Sequence, residues 1–157
     1  MNENKAFTPL EVIDGKALLE LNIPPAKYIV TDLLPGGLHL LAGSPKIGKS
    51  WFALWLCNQV ATGNPVWQFD TLRCPTLYLS LEDTVDRLHL RLSSITKTGC
   101  EDSYFATKTD TLAGTLTGQL EAFIQFHPDV GLIVLDNSAR VRDGSESNSM
   151  SDYEEIP

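Results

Sequence analysis

Leu38-His39-Leu40-Leu41-Ala42-Gly43-Ser44-Pro45-Lys46-Ile47-Gly48-Lys49-Ser50-Trp51-Phe52-Ala53-Leu54 is the stretch that decides the fold. Its first five residues form a nearly continuous apolar run, the pattern of a strand buried on both faces of a parallel sheet. From Lys49 to Thr62, Phe52, Leu56 and Val60 recur at helical spacing, with Ala53 and Trp55 widening the stripe, which predicts an amphipathic helix. Gly63 is placed to end that helix in a left-handed turn, and Pro65 prevents its resumption. Between strand and helix, Gly43 to Ser50 fits the pattern G-x-x-x-x-G-K-[ST]. Gly43 and Gly48 let the backbone curl until successive N–H groups face phosphate oxygens. Lys49 carries a point charge to the β- and γ-phosphates, and the Ser50 hydroxyl is a ligand for Mg²⁺. The helix that starts here adds its positive dipole end. Gly43, Ser44, Pro45, Lys46, Ile47, Gly48, Lys49 and Ser50 are therefore the candidate nucleotide-binding residues. A glycine-rich turn with a surface lysine would need neither the strand before nor the helix after.

Outward from this loop the chain alternates between two periods. A short helix is expected over Asp14 to Leu21, confined by Pro9, Pro24 and Pro25. Tyr28-Ile29-Val30 reads as a strand and Pro35-Gly36-Gly37 as a turn. Thr76 to Leu81 and Val130 to Asp136 read as strands, and Ser103 to Thr107 as a further one. Asp83 reads as the N-cap of a helix reaching Lys97, with Asp86 three residues on, and Thr117 to Phe126 as another helix. This order predicts an α/β fold, a mainly parallel sheet flanked by helices.

Two acids stand where ligands gather, beyond the carboxyl ends of strands. Asp136 closes an apolar strand, the place of an acid that holds Mg²⁺. Glu82 follows the strand ending at Leu81 and is placed to orient or deprotonate a water near the γ-phosphate. Their plain alternatives are a strand-ending cap and a solvated acid. Arg140 and Arg142 either touch phosphates or a neighbouring subunit, or form a solvated edge. Arg87 lies four residues from Asp83, the spacing of a local ion pair, and shares a helix face with Arg91. Trp51, Phe52 and Trp55 read as packing residues, and His39, His89 and His127 show no ligand spacing.

The chain has 157 residues, enough for one domain with a core. Its net charge of -8 argues against a surface wholly devoted to nucleic acid, which needs cations to displace counterions, though not against a local basic groove. Cys57, Cys74 and Cys100 are dispersed and form no zinc pattern, as expected of thiols in a reducing cytoplasm. No signal-like N-terminus or membrane-length apolar run is present, so a cytoplasmic, membrane-free protein is expected.

Taken together, Pro35-Gly36-Gly37-Leu38, the Gly43–Ser50 loop, Leu77-Tyr78-Leu79-Ser80-Leu81-Glu82-Asp83 and Gly131-Leu132-Ile133-Val134-Leu135-Asp136 resemble the RepA-like branch of RecA-fold ATPases, from about residue 24 onward. The resemblance implies ATP and Mg²⁺ as cofactors, with Lys49 and Glu82 catalytic. It implies Ser50 and Asp136, the latter as Walker B acid, at the metal. It further implies hexameric homo-oligomers with ATP between subunits and single-stranded DNA in the pore. The chain is expected to divide into a lead-in (1–27), an incomplete RecA-like core (28–142) and a polar tail (143–157), the composition changing at Asp143. Asn137 stands where relatives often have threonine, and the acidic, serine-rich segment Asp143 to Ser151 stands where relatives contact DNA. Relatives continue into a strand that lies between the Walker A and Walker B strands. Without it, the expectation is either direct pairing of those two strands or a strand borrowed from another copy. Two rival functions remain: a P-loop small-molecule kinase, with Glu82 and Asp83 gripping an acceptor, and a nucleotide-binding or interaction protein without turnover.

Overall fold

A computed structural model describes residues 11–81, 83–109 and 115–136. In chain order the elements are α1 (Gly15–Glu20), β1 (Tyr28–Val30), β2 (Leu34–Pro35), α2 (Lys49–Thr62), β3 (Thr76–Ser80), α3 (Val85–Ile95), β4 (Ser103–Ala106), α4 (Leu116–Phe126) and β5 (Leu132–Asp136). The main sheet has the order β4-β3-β5 and both pairings are parallel. Every residue of β3 is buried, because helices cover both of its faces. On one face Tyr78 packs with Ala53, Leu54 and Cys57 of α2 and Leu88 of α3. On the other, Leu77 and Leu79 meet Leu116, Leu120 and Phe123 of α4. The alternation of side chains along a strand produces this division, and the parallel crossovers explain why the helices lie between strands.

β1 and β2 form a small antiparallel hairpin. Val30 bridges to Thr71, and its side chain joins Val60, Val66 and Cys74 in a second cluster behind α2. That cluster corrects the reading of α2 as a helix with one apolar stripe. One side of α2 serves the sheet and another the hairpin, and only Trp51 among its residues is exposed. A helix enclosed in this way is apolar on nearly every side. Gly63 ends it in the expected left-handed conformation, φ 73°.

The segment Leu38 to Ala42 departs most from expectation. It forms no strand, and Leu38 and Leu40 are almost wholly exposed. An apolar run becomes a buried strand only where neighbours accept its backbone hydrogen bonds and helices cover its faces. Among the described residues β5 pairs with β3 alone, so the direct pairing of the Walker A segment with β5 is not formed. Smaller differences sit at element ends, where α3 stops at Ile95, β4 at Ala106 and β5 starts at Leu132. Asp14, read as the first residue of α1, is its N-cap, its Oδ1 accepting from the Lys16 and Ala17 amides at 2.9 and 3.0 Å.

Gly131 leads into β5 with no room to spare, since a Cβ there would collide with the Cys74 sulfur and come within 3.3 Å of the Ile29 Cδ1. Gly131→Ala is expected to lower unfolding stability by about 1–3 kcal/mol, the usual cost of overpacking. The double variant Gly131→Ala/Cys74→Ala should recover part of it in urea melts. A single variant as stable as the wild type would show that the backbone yields here.

Burial pushes the Cys57 thiol up from 9.0 to about 12. The folded state therefore keeps a proton that the unfolded chain releases above pH 9, and stability present below that pH is lost as pH rises toward 12. The urea midpoint should fall across this window, and less steeply in Cys57→Ala. Equal slopes would remove Cys57 as the cause.

Candidate functional site

The loop turns on two left-handed residues, Lys46 at φ 64° and Gly48 at φ 100°. Gly43, read as a turning glycine, does not take positive φ, and a Cβ there would make only ordinary contacts with Ile47 and Lys49. Gly48 is the residue whose conformation a side chain would strain. Lys49 bends back over the loop, its Nζ donating to the Gly43 carbonyl at 2.8 Å and the Ser44 carbonyl at 3.0 Å. Ser44, Pro45, Lys46 and Ile47 lie exposed at the rim.

α2 starts with Gly48 as its N-cap, which has no side chain to satisfy the first amides, and no acid sits in the first turn. Those amides and the dipole are directed toward the loop and favour an anion. Ser50 lies in this first turn. Its Oγ donates to Asp136 Oδ1 at 3.0 Å across 86 residues of sequence. The bond exists because β3 and β5 run parallel with Ser80 paired to Asp136, which brings the end of β5 beside the start of α2. The hydroxyl and carboxylate are hard oxygen ligands, the type Mg²⁺ takes alongside phosphate oxygens and water. The pair fits such an ion, while among the described residues no three His, Cys, Asp or Glu side chains gather as a protein-only metal site.

Tyr78 completes this group and was not singled out in the sequence. Its hydroxyl lies 2.5 Å from Asp136 Oδ2 and 3.3 Å from the Ser50 carbonyl. With one proton to donate, the phenol serves the carboxylate, a charge-assisted bond. Burial, and then the bond to Asp136 and its charge, push the phenol's pKa well above the usual tyrosine range, so the proton stays. The available signal was a phenol between Leu77 and Leu79, two positions before the strand end that pairs with Asp136.

Glu82 lies outside the described residues, as do Asn137, Arg140, Arg142 and the segment Asp143 to Ser151. Next to Glu82, Asp83 was expected to cap α3. Thr84 is the N-cap instead, accepting from the Arg87 amide at 3.4 Å. Asp83 is buried and engages Arg91, Arg87 at 3.4 Å and the Ser80 hydroxyl at 3.1 Å. Two guanidinium groups and a hydroxyl compensate the desolvated carboxylate better than an amide cap would. Arg91 also sits 5.8 Å from the centre of the Trp51 ring. Phe52 stacks on Trp67 at 5.6 Å with an interplanar angle of 15°, and Trp55 lies 5.7 Å from Trp67. With Trp51, Ser94 and Ile95 these rings line an open hollow of about 520 Å³. Of the histidines, His39 bonds the Pro35 carbonyl and His127 packs on Tyr104 and Phe123.

A parallel α/β sheet, a glycine-turned loop with its lysine before a helix, and a strand-ending acid bonded to the loop's serine define a RecA-like P-loop fold. Residues 5–156 match the family model of the AAA domain, a P-loop ATPase family, and the chain belongs to that family. No solved structure matches the chain. No helix of the described residues is long and apolar enough to cross a membrane.

Asp83→Ala should cost about 1–3 kcal/mol of stability, because it leaves the buried Ser80 hydroxyl and Arg91 without their acceptor. Arg87, 62 % exposed, should cost no more than about 0.5 kcal/mol when changed to Ala. Equal losses in thermal melts would show that Asp83 is not the fixed point of this network.

Proposed function

We propose that this chain is the ATP-binding and ATP-hydrolysing module of a RepA-like helicase or DNA-replication ATPase. The observation that supports the reading most is the 3.0 Å bond between Ser50 and Asp136, which joins the phosphate loop to the acid at the end of β5. In this reading the loop amides and Lys49 bind the β- and γ-phosphates, and Lys49 exchanges its bonds to the Gly43 and Ser44 carbonyls for phosphate oxygens. Ser50 and Asp136 hold Mg²⁺, which when bound offsets the charge that builds on the phosphate oxygens. Glu82 orients the attacking water and accepts its proton. Single-stranded DNA and a hexameric ring of identical chains complete the proposal at the level of the resemblance alone.

The exposed Leu38 to Ala42 segment favours a second reading, nucleotide binding without turnover. A loop whose leading segment pairs with no strand among the described residues holds its amides less firmly, and hydrolysis depends on preorganised donors more than binding does.

Calorimetric titration with Mg-ATP should show binding that Lys49→Ala loses. Phosphate release should then fall by about 10²- to 10⁴-fold in Glu82→Gln, the range of a lost general base, with binding retained. Binding unchanged in Lys49→Ala would refute the nucleotide site. Binding with no release from the wild type would leave the second reading standing.

A further inference from the structure

We infer that Tyr78 is a positioning residue for the metal end of this site: its hydroxyl holds Asp136 Oδ2, so that Oδ1 is the oxygen turned to Ser50. The inference rests on the nucleotide-site reading above and adds to it a role for Tyr78, a residue of the β3 stretch to which the sequence reading gave no function.

The argument begins with the choice of residue. The Tyr78 ring is fully buried among Ala53, Leu54, Cys57 and Leu88, in a cluster that is otherwise apolar. Packing alone would be met by phenylalanine, and a buried hydroxyl is costly unless it is bonded. The hydroxyl therefore needs its acceptor, and that acceptor is Asp136 at 2.5 Å.

The second step is stiffness. Asp136 ends a strand that among the described residues pairs with β3 alone, and it is only partly buried, so its carboxylate would turn freely if held at one oxygen. Ser50 holds Oδ1 through a one-carbon stem that rotates readily. The Tyr78 hydroxyl is carried on a rigid ring that moves only if the core between α2, α3 and the sheet opens. Of the two donors, Tyr78 is thus the fixed reference and Ser50 the adjustable one. Register supplies the reach: Tyr78 pairs with Val134 on the same face, two residues before Asp136. Groups that orient a metal-holding carboxylate in this way commonly govern metal affinity.

The test uses the full chain saturated with ADP and Mn²⁺ as the probe, with free Mn²⁺ read by electron paramagnetic resonance against a protein-free ADP control. In Tyr78→Phe, Mn²⁺ affinity should fall by about 10-fold or more, while ADP affinity in EDTA stays within about twofold of wild type. Phe105→Leu, which loosens packing beside the same ring without touching the hydroxyl, should leave Mn²⁺ affinity unchanged. Wild-type Mn²⁺ affinity in Tyr78→Phe, together with loss in Asp136→Ala, would overturn the role of Tyr78 and leave the site intact. No protein-bound Mn²⁺ in the wild type, or none lost in Asp136→Ala, would overturn the site reading and this inference together. Should Tyr78→Phe fail to fold, the wild-type chain carrying 3-fluorotyrosine gives a second measurement. The ¹⁹F resonance of Tyr78 should shift when Mg²⁺ joins the ADP complex and stay fixed in Asp136→Ala. An unmoved wild-type resonance would overturn the inference.

Discussion

A carboxylate at the end of a strand must stay in water or find donors. Asp136 finds two, from the first turn of α2 and from the middle of β3. Those bonds tie three elements that are distant in sequence, and they set where the phosphate loop stands relative to the sheet. Hydrophobic packing places α2 over β3 and β5, but packing is not directional. The pair of hydrogen bonds gives the helix its rotational setting and directs its uncapped N-terminus to the loop. Lys49 and Gly48 then complete a closed turn whose amides and cation face one place.

Much of this was legible in the sequence because the signals were local. Gly63 required a left-handed end to α2, and the alternation of apolar runs and helical stripes required parallel α/β layers. The loop itself was legible because a short pattern encodes a backbone shape. Leu38 to Ala42 was misread for the opposite reason. An apolar pentapeptide records what a segment avoids and says nothing about which neighbour is present to pair with it. The single stripe assigned to α2 failed similarly, since a helix with a sheet on one side and a hairpin on another has no polar face to reveal the difference.

Asp83 and Tyr78 show a second limit. Asp83 carries the local signature of a helix cap, yet Thr84 one residue on takes that task. Asp83 is freed to bind Arg91 and Arg87 from the next two turns of α3. Tyr78 looks like any aromatic strand residue until the register of β3 and β5 is known. For Tyr78 the deciding partner lies across space, whereas for Asp83 the partners are near in the chain and the choice among them follows desolvation. The ion-pair spacing of Asp83 and Arg87 was nonetheless readable, because it depends on one short stretch of chain.

The aromatic group beside α2 has a consequence of a different kind. The chain contains three tryptophans, and Trp51, Trp55 and Trp67 all line or border one hollow that begins one residue after Ser50. Trp67 stands at φ 54°, an uncommon backbone setting for a bulky residue, where it stacks on Phe52. The ultraviolet emission of this molecule is therefore a local signal. It originates in the hollow between α2, Trp67 and the end of α3 and is weighted by indoles half open to water, so a change in its colour describes that corner of the protein rather than the chain as a whole.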